Sequence, residues 1–172
     1  MEMRPEVFVM EEEKREIICY NLNFLLATLL TLHLKIKSAH WNITGPHFRD
    51  LHLMLDEHAA NVLETCDFVA ERISTIGGMP LTSCGEILEK SYVHDFPSER
   101  LYETDLLSEL FRDTNTIIVC LRKYIECLEQ LGDYGSVNVL SDHLNMHEKF
   151  GWFLAEDLQV GLNVPQVPTG RL

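Results

Sequence analysis

The chain has 172 residues and carries 14 Lys and Arg against 27 Asp and Glu, a formal charge of −13. Its length suits one domain, and its apolar share of 46% suits a packed core, not a disordered segment. The acidic excess repels phosphate backbones and attracts cations, so direct DNA binding is not expected. The N-terminus, "MEMRPEVFVMEEEKRE", lacks the basic start and long apolar core of a signal peptide. The longest apolar run, "FLLATLLTLHLKI", contains His33 and is short for a bilayer span. A soluble, cytoplasmic protein with no membrane partner is expected. Cys19, Cys66, Cys84, Cys120 and Cys127 form no CxxC pair, which favours reduced thiols in a cytosolic compartment.

Four long stretches carry the helical period, and strand-like alternation is missing. The first runs from about Lys14 to His40 along Ile18, Leu22, Leu25, Leu29, Leu32 and Ile36. A second apolar set, Phe24, Leu26, Leu30 and Leu34, widens its face beyond one core stripe and points to an oligomer. Gly45 and Pro46 mark a turn, and a second helix is predicted from about His47 to Ile76, stopped by "GGMP". Residues 79–97 form a connection long enough to cross a bundle, with room for a short helix in "CGEILEKSYV". The third helix is predicted to start near Ser98 and end at Gly132, and the fourth to run from about Ser136 to Val160. This is an all-α pattern: a ferritin-like four-helix bundle over 14–160, two antiparallel pairs joined by one long crossover, with tails at 1–13 and 161–172. An up-down-up-down bundle with a short middle loop is the alternative.

The second helix is unusual in turning ionisable groups along its apolar stripe. In "HLMLDEHAANVLETCDFVAERI", His52, Asp56, Asp67 and Glu71 project at about 0°, 40°, 60° and 100° around the axis. His52 with Asp56, and Asp67 with Glu71, are spaced i,i+4, which brings two donor groups to one spot. Imidazole with carboxylate is a ligand set for a divalent transition metal. The two pairs cannot meet within one helix, because Asp56 and Asp67 stand about 16 Å apart along it. A second copy lying antiparallel about a two-fold axis near residues 61 and 62 would set Asp67 and Glu71 of one chain against His52 and Asp56 of the other. His40 lies six residues before Pro46 and His52 six after it, so a helical hairpin brings them to similar height and adds His40 to the set. His47 and His58 lack this fit and are expected to face solvent. A site inside one bundle, using His143 and His147 at i,i+4, is the competing arrangement.

The stretch "KIKSAHWNITGPHFRDLHLMLDEHAANVLETCDFVAERISTIGGMP" resembles the signature region of the Dps family, ferritin-like mini-ferritins named as DNA-binding proteins from starved cells. H-W-N, then H-x3-D, then D-x3-E-R is complete with its spacings, and "HEKFGWFLAEDL" is similar to the family's last helix. The resemblance implies a twelve-subunit shell with ferroxidase centres at its two-fold interfaces. His40, His52 and Asp56 match the ligands from one subunit, Asp67 and Glu71 those from its neighbour, and Lys37 and Trp41 residues lying beside the centre. The implied chemistry is oxidation of Fe(II) to Fe(III) by hydrogen peroxide or dioxygen, storage of ferric iron and protection against oxidative stress. Zinc can take the same ligands.

The resemblance also frames the departures. Family members that bind DNA use Lys- or Arg-rich tails, whereas this chain has Glu11, Glu12 and Glu13 at one end and a single Arg in "NVPQVPTGRL" at the other. A nucleoid-associated protein whose metal site is mainly structural is therefore the alternative function. Iron pores in the family lie near the start of the last helix. Asn138 stands there where many relatives carry an acid, leaving Asp133 and Asp142 as candidates for the lining.

Overall fold

The computed structural model describes residues 10–96 and 102–159. Helices α1 (Glu12–Asn42), α2 (Phe48–Thr75), α3 (Cys84–Lys90), α4 (Glu103–Leu131) and α5 (Tyr134–Asp157) follow in order, with no strand among the described residues. The α1 stripe predicted from periodicity is the core: Ile18, Leu22, Leu25, Leu29, Leu32 and Ile36 are essentially inaccessible. Together with Leu55, Ile73, Leu110 and Ile117 they form one continuous apolar cluster, whose burial drives folding at roughly 1.5–3 kcal/mol per large side chain.

Which helices touch decides the topology. The hairpin partners are α1 with α2 and α4 with α5, and the bundle closes through α1 on α4 and α2 on α5, while α2 and α4 are not neighbours among the described residues. A short middle loop would make α2 and α4 adjacent, so the long crossover is present and that alternative fails. The crossover carries α3, which packs on α1. Ser83 caps α3, accepting from Glu86 N at 3.3 Å, and the Glu86 carboxylate accepts in return from the Ser83 hydroxyl at 3.3 Å and from Thr82 N at 3.2 Å.

Both hairpin turns rest on glycine. Gly45 has φ +133°, and a Cβ there would strike the Glu103 carboxylate at the start of α4. Gly132 ends α4 in the left-handed region at φ 77°, where Asp133 N bonds to Leu128 O at 3.0 Å, as helix C-caps require.

The boundaries correct some expectations. The third long helix starts at Glu103, not near Ser98, which lies outside the described residues; Glu103 and Asp105 put negative charge in its first turn, where the helix dipole favours it. Helix α1 begins at Glu12, taking in two residues of the expected N-terminal tail, and Val160 and the expected C-terminal tail lie outside the described residues. The apolar run of α1 is also longer than thirteen residues suggested. An 18-residue window reaches a mean hydropathy of 1.7, enough by length and composition to cross a membrane, and half of it is buried inside the bundle. Of its second apolar face, Leu26 is buried, Phe24 and Leu30 are half-buried and Leu34 is exposed.

Candidate metal centre

The short α1–α2 turn sets His40 and His52 side by side, with ring centroids 3.7 Å apart and planes 19° from parallel. Each ring bonds to the other residue's backbone: His40 Nδ1 lies 2.8 Å from His52 O, and His52 Nδ1 lies 2.9 Å from His40 O. A carbonyl oxygen only accepts, so both Nδ1 atoms carry the proton and both Nε2 atoms keep a lone pair. Such outer bonds fix ring orientation and raise the basicity of the free nitrogen, as is usual for metal-bound histidines.

One turn along α2 from His52, Asp56 comes near His40. Its Oδ1 lies 3.9 Å from His40 Nε2 and 2.6 Å from Lys37 Nζ. The Lys37 bond holds the exposed Asp56 carboxyl below its usual range, helped by charge from Lys37, His40 and His52. Lys37 Nζ also sits 5.9 Å from the centre of the Trp41 ring, and Trp41 is 63% exposed. Lys37 thus engages Asp56 directly, and Trp41 stands next to Lys37.

Asp67 and Glu71 lie on the same helix farther along, both exposed, with Asp67 about 16 Å from Asp56 along the axis. Among the described residues of one chain, no group of three or more His, Cys, Asp or Glu side chains, His40, His52 and Asp56 included, is placed to hold a metal ion. Asp67 instead lines an open groove of about 690 Å³ between α1, α2 and the start of the crossover, with Leu26, Leu30, Ala60, Leu63 and Leu81. Cys66 lies in the same groove. Burial pushes its thiol up to about 12, so it stays protonated and unreactive at neutral pH. All five cysteines are free.

Two readings of the sequence change here. His47 is exposed as expected, but His58 is buried at 3% exposure, stacked on Phe150 between α2 and α5. Its position on the inner face of α2, away from Asp56, was available from helical spacing. Asp133 is not free to line a pore. It is 4% exposed, caps α5 through Ser136 N at 3.3 Å, and pairs with Arg72, the residue after Glu71. Arg72 Nε also donates to Ser136 Oγ at 2.9 Å, so the end of α2 that carries Glu71 is tied to the start of α5. The signal was present as Gly132-Asp133-x-x-Ser136, an N-cap following a helix stop. Asp142 and Asn138 are exposed.

Comparison with known proteins agrees with this architecture. The model of the ferritin-like domain matches residues 20–161. The DNA protection during starvation protein of Mycolicibacterium smegmatis is 35% identical over 150 residues, covering 87% of this chain and 81% of that protein. DpsC from Streptomyces coelicolor superposes with a TM-score of 0.87 at 31% identity, covering 96% and 95% of the two chains. The Dps homologue of Halobacterium salinarum gives 0.84 at 29% identity, covering 91% and 87%. A complete family motif, the long-crossover bundle and these likenesses lead to one conclusion: the chain belongs to the Dps family of ferritin-like proteins.

Proposed function

We propose that this protein is a mini-ferritin subunit that binds Fe(II) at sites shared between two chains, oxidises it with hydrogen peroxide and stores ferric iron inside a twelve-chain shell. The observation that carries this reading is the crosswise lock of His40 and His52, which makes Nε2 the free atom of each ring, that of His40 lying 3.9 Å from the Asp56 carboxylate. A half-site of two nitrogens and one carboxylate, with Asp67 and Glu71 on the same helix but out of reach, is supplied with its missing acids by an antiparallel second copy. The apolar groove beside Asp67, and exposed Leu34 and Leu63, supply the surface that such a copy would cover.

Fe(II) enters as substrate. Two Fe(II) each lose one electron, the O–O bond of peroxide breaks, and two hydroxides form. Carboxylates from both chains favour the harder Fe(III) product. Lys37 holds Asp56 ionised until the metal displaces it, and the carbonyl bonds fix Nδ1 of each ring as the donor, leaving Nε2 as the atom that can meet a metal. Each chain carries −13, so a closed shell would concentrate cations. Relatives are named for protecting DNA during starvation. Removal of iron and peroxide together gives that protection without contact with DNA, in keeping with this charge.

Anaerobic Fe(II) titration of the purified assembly, followed by peroxide, with mass measured in parallel, tests the reading. Saturable Fe(II) binding, rapid formation of Fe(III) and a mass of twelve chains are expected. Fe(II) left unoxidised by peroxide, or iron oxidised at full rate by a monomer, would overturn it.

A further inference from the structure

The packed seam between α2 and α5 holds a second histidine group that the α1–α2 site does not use. His58 and His147 are 3% and 0% exposed, with ring centroids 5.8 Å apart and planes at 86°. Nε2 of His58 and both ring nitrogens of His147 are buried with no hydrogen-bond partner among the described residues. A bare buried polar atom costs about 1–3 kcal/mol, so these call for an occupant, and a cation between the rings would take one lone pair from each. With metal–nitrogen bonds of about 2.0 Å, two imidazoles on one ion put their ring centres roughly 6 Å apart, close to the separation found.

A route leads to this pair. One turn before His147, His143 is half-buried, with Nδ1 2.9 Å from Thr65 Oγ1. The Thr65 hydroxyl donates its only proton to Asn61 O at 2.9 Å, so His143 Nδ1 is the donor and its Nε2 keeps a lone pair. Glu64 and Asp142, both exposed, act on His143 electrostatically. The order from surface to interior is thus acids, a half-buried imidazole, then two buried ones.

The donor chemistry selects the ion. Burial pushes His147 down to about 3, so the ring is neutral at physiological pH. Beside His58 a cavity of about 110 Å³ is lined by Met54 and Met146, with exposed Glu57 and Lys149 at its edge. Zinc almost always takes four ligands in protein sites, and a divalent charge buried among neutral donors is costly. Neutral imidazoles with thioethers nearby suit a soft ion of low charge and low coordination number. We propose that His58 and His147, reached through His143, form a second metal site within each chain that takes a soft monovalent cation of the Cu(I) class.

The test is anaerobic Cu(I) titration of the assembled protein against a chromogenic chelator, with Ag(I) as a redox-silent probe followed by histidine ¹⁵N shifts. With the free thiols blocked by alkylation, one tight equivalent per chain is expected, retained in His52→Ala with Asp56→Ala and weakened at least about 100-fold in His58→Phe with His147→Leu. The latter pair should leave assembly and peroxide-driven iron oxidation unchanged. Should that double substitution disturb packing, His143→Ala, at the half-buried mouth, is expected to slow Ag(I) uptake without changing the fold. Undiminished Cu(I) binding in His58→Phe with His147→Leu, or absence of Ag(I) shifts at both histidines in the wild type, would mean that the seam holds only water. Preference for Zn(II) over Cu(I) at these two rings would overturn the ion class.

Discussion

Helix α2 carries histidines on two faces in opposite states. On the outer face His52 is turned by a carbonyl bond, stacks on the His40 imidazole that approaches Asp56, and stays partly open. On the inner face His58 is sealed under Phe150 with its Nε2 bare. The outer arrangement has oriented donors but an incomplete ligand set; the inner one has a closed environment but unsatisfied donors. The lesson is that residue type does not make a metal site: which nitrogen is freed, and what carboxylate it meets, decides the ion.

The comparison breaks most sharply on the outer face. His52→Ala with Asp56→Ala should leave the shell assembled and slow peroxide-driven Fe(II) oxidation by roughly 10–100-fold or more, read by stopped-flow absorbance. An unchanged rate would remove the outer face from the chemistry.

A smaller effect is expected where the two faces are joined. Asp133→Ala strips Arg72 of a buried carboxylate partner and α5 of its cap, costing about 3 kcal/mol, visible as a lowered unfolding midpoint. Because Arg72 follows Glu71, iron oxidation should also fall, and Asp133→Asn, which keeps the cap, should recover part of the stability. No loss of stability would show that the tie between α2 and α5 is incidental.

The smallest effect concerns pH. Lys37 is the main cause of the depressed Asp56 pKa, so Lys37→Met raises that pKa toward its ordinary value. Protons then compete with Fe(II) at higher pH, and the acid limb of the rate profile should move upward while the neutral plateau stays near wild type. A limb that stays in place would separate Lys37 from Asp56 function.

Much of this was legible in the sequence because helical periodicity converts spacing into direction. The α1 core stripe, the Gly45 and Gly132 turns and the adjacency of His40 with His52 all follow from counting residues around a known geometry. The crosswise carbonyl bonds were not legible, since they depend on how closely two helices approach. His58 escaped because spacing was counted toward one face only, and the partner that buries it, Phe150, is far along the chain. Asp133 escaped because a carboxylate near a proposed pore and a carboxylate capping a helix look alike until Arg72 arrives from α2.

The central claim is that each centre is built from two chains, and complementation tests it most directly. Chains bearing His52→Ala with Asp56→Ala and chains bearing Asp67→Ala with Glu71→Ala, each inactive alone, are unfolded, mixed in equal amounts and reassembled. Random pairing leaves one intact site in every mixed dimer, so roughly a quarter of the wild-type iron oxidation rate should return. Mixed assemblies that form normally yet recover no activity would contradict a site shared across the interface.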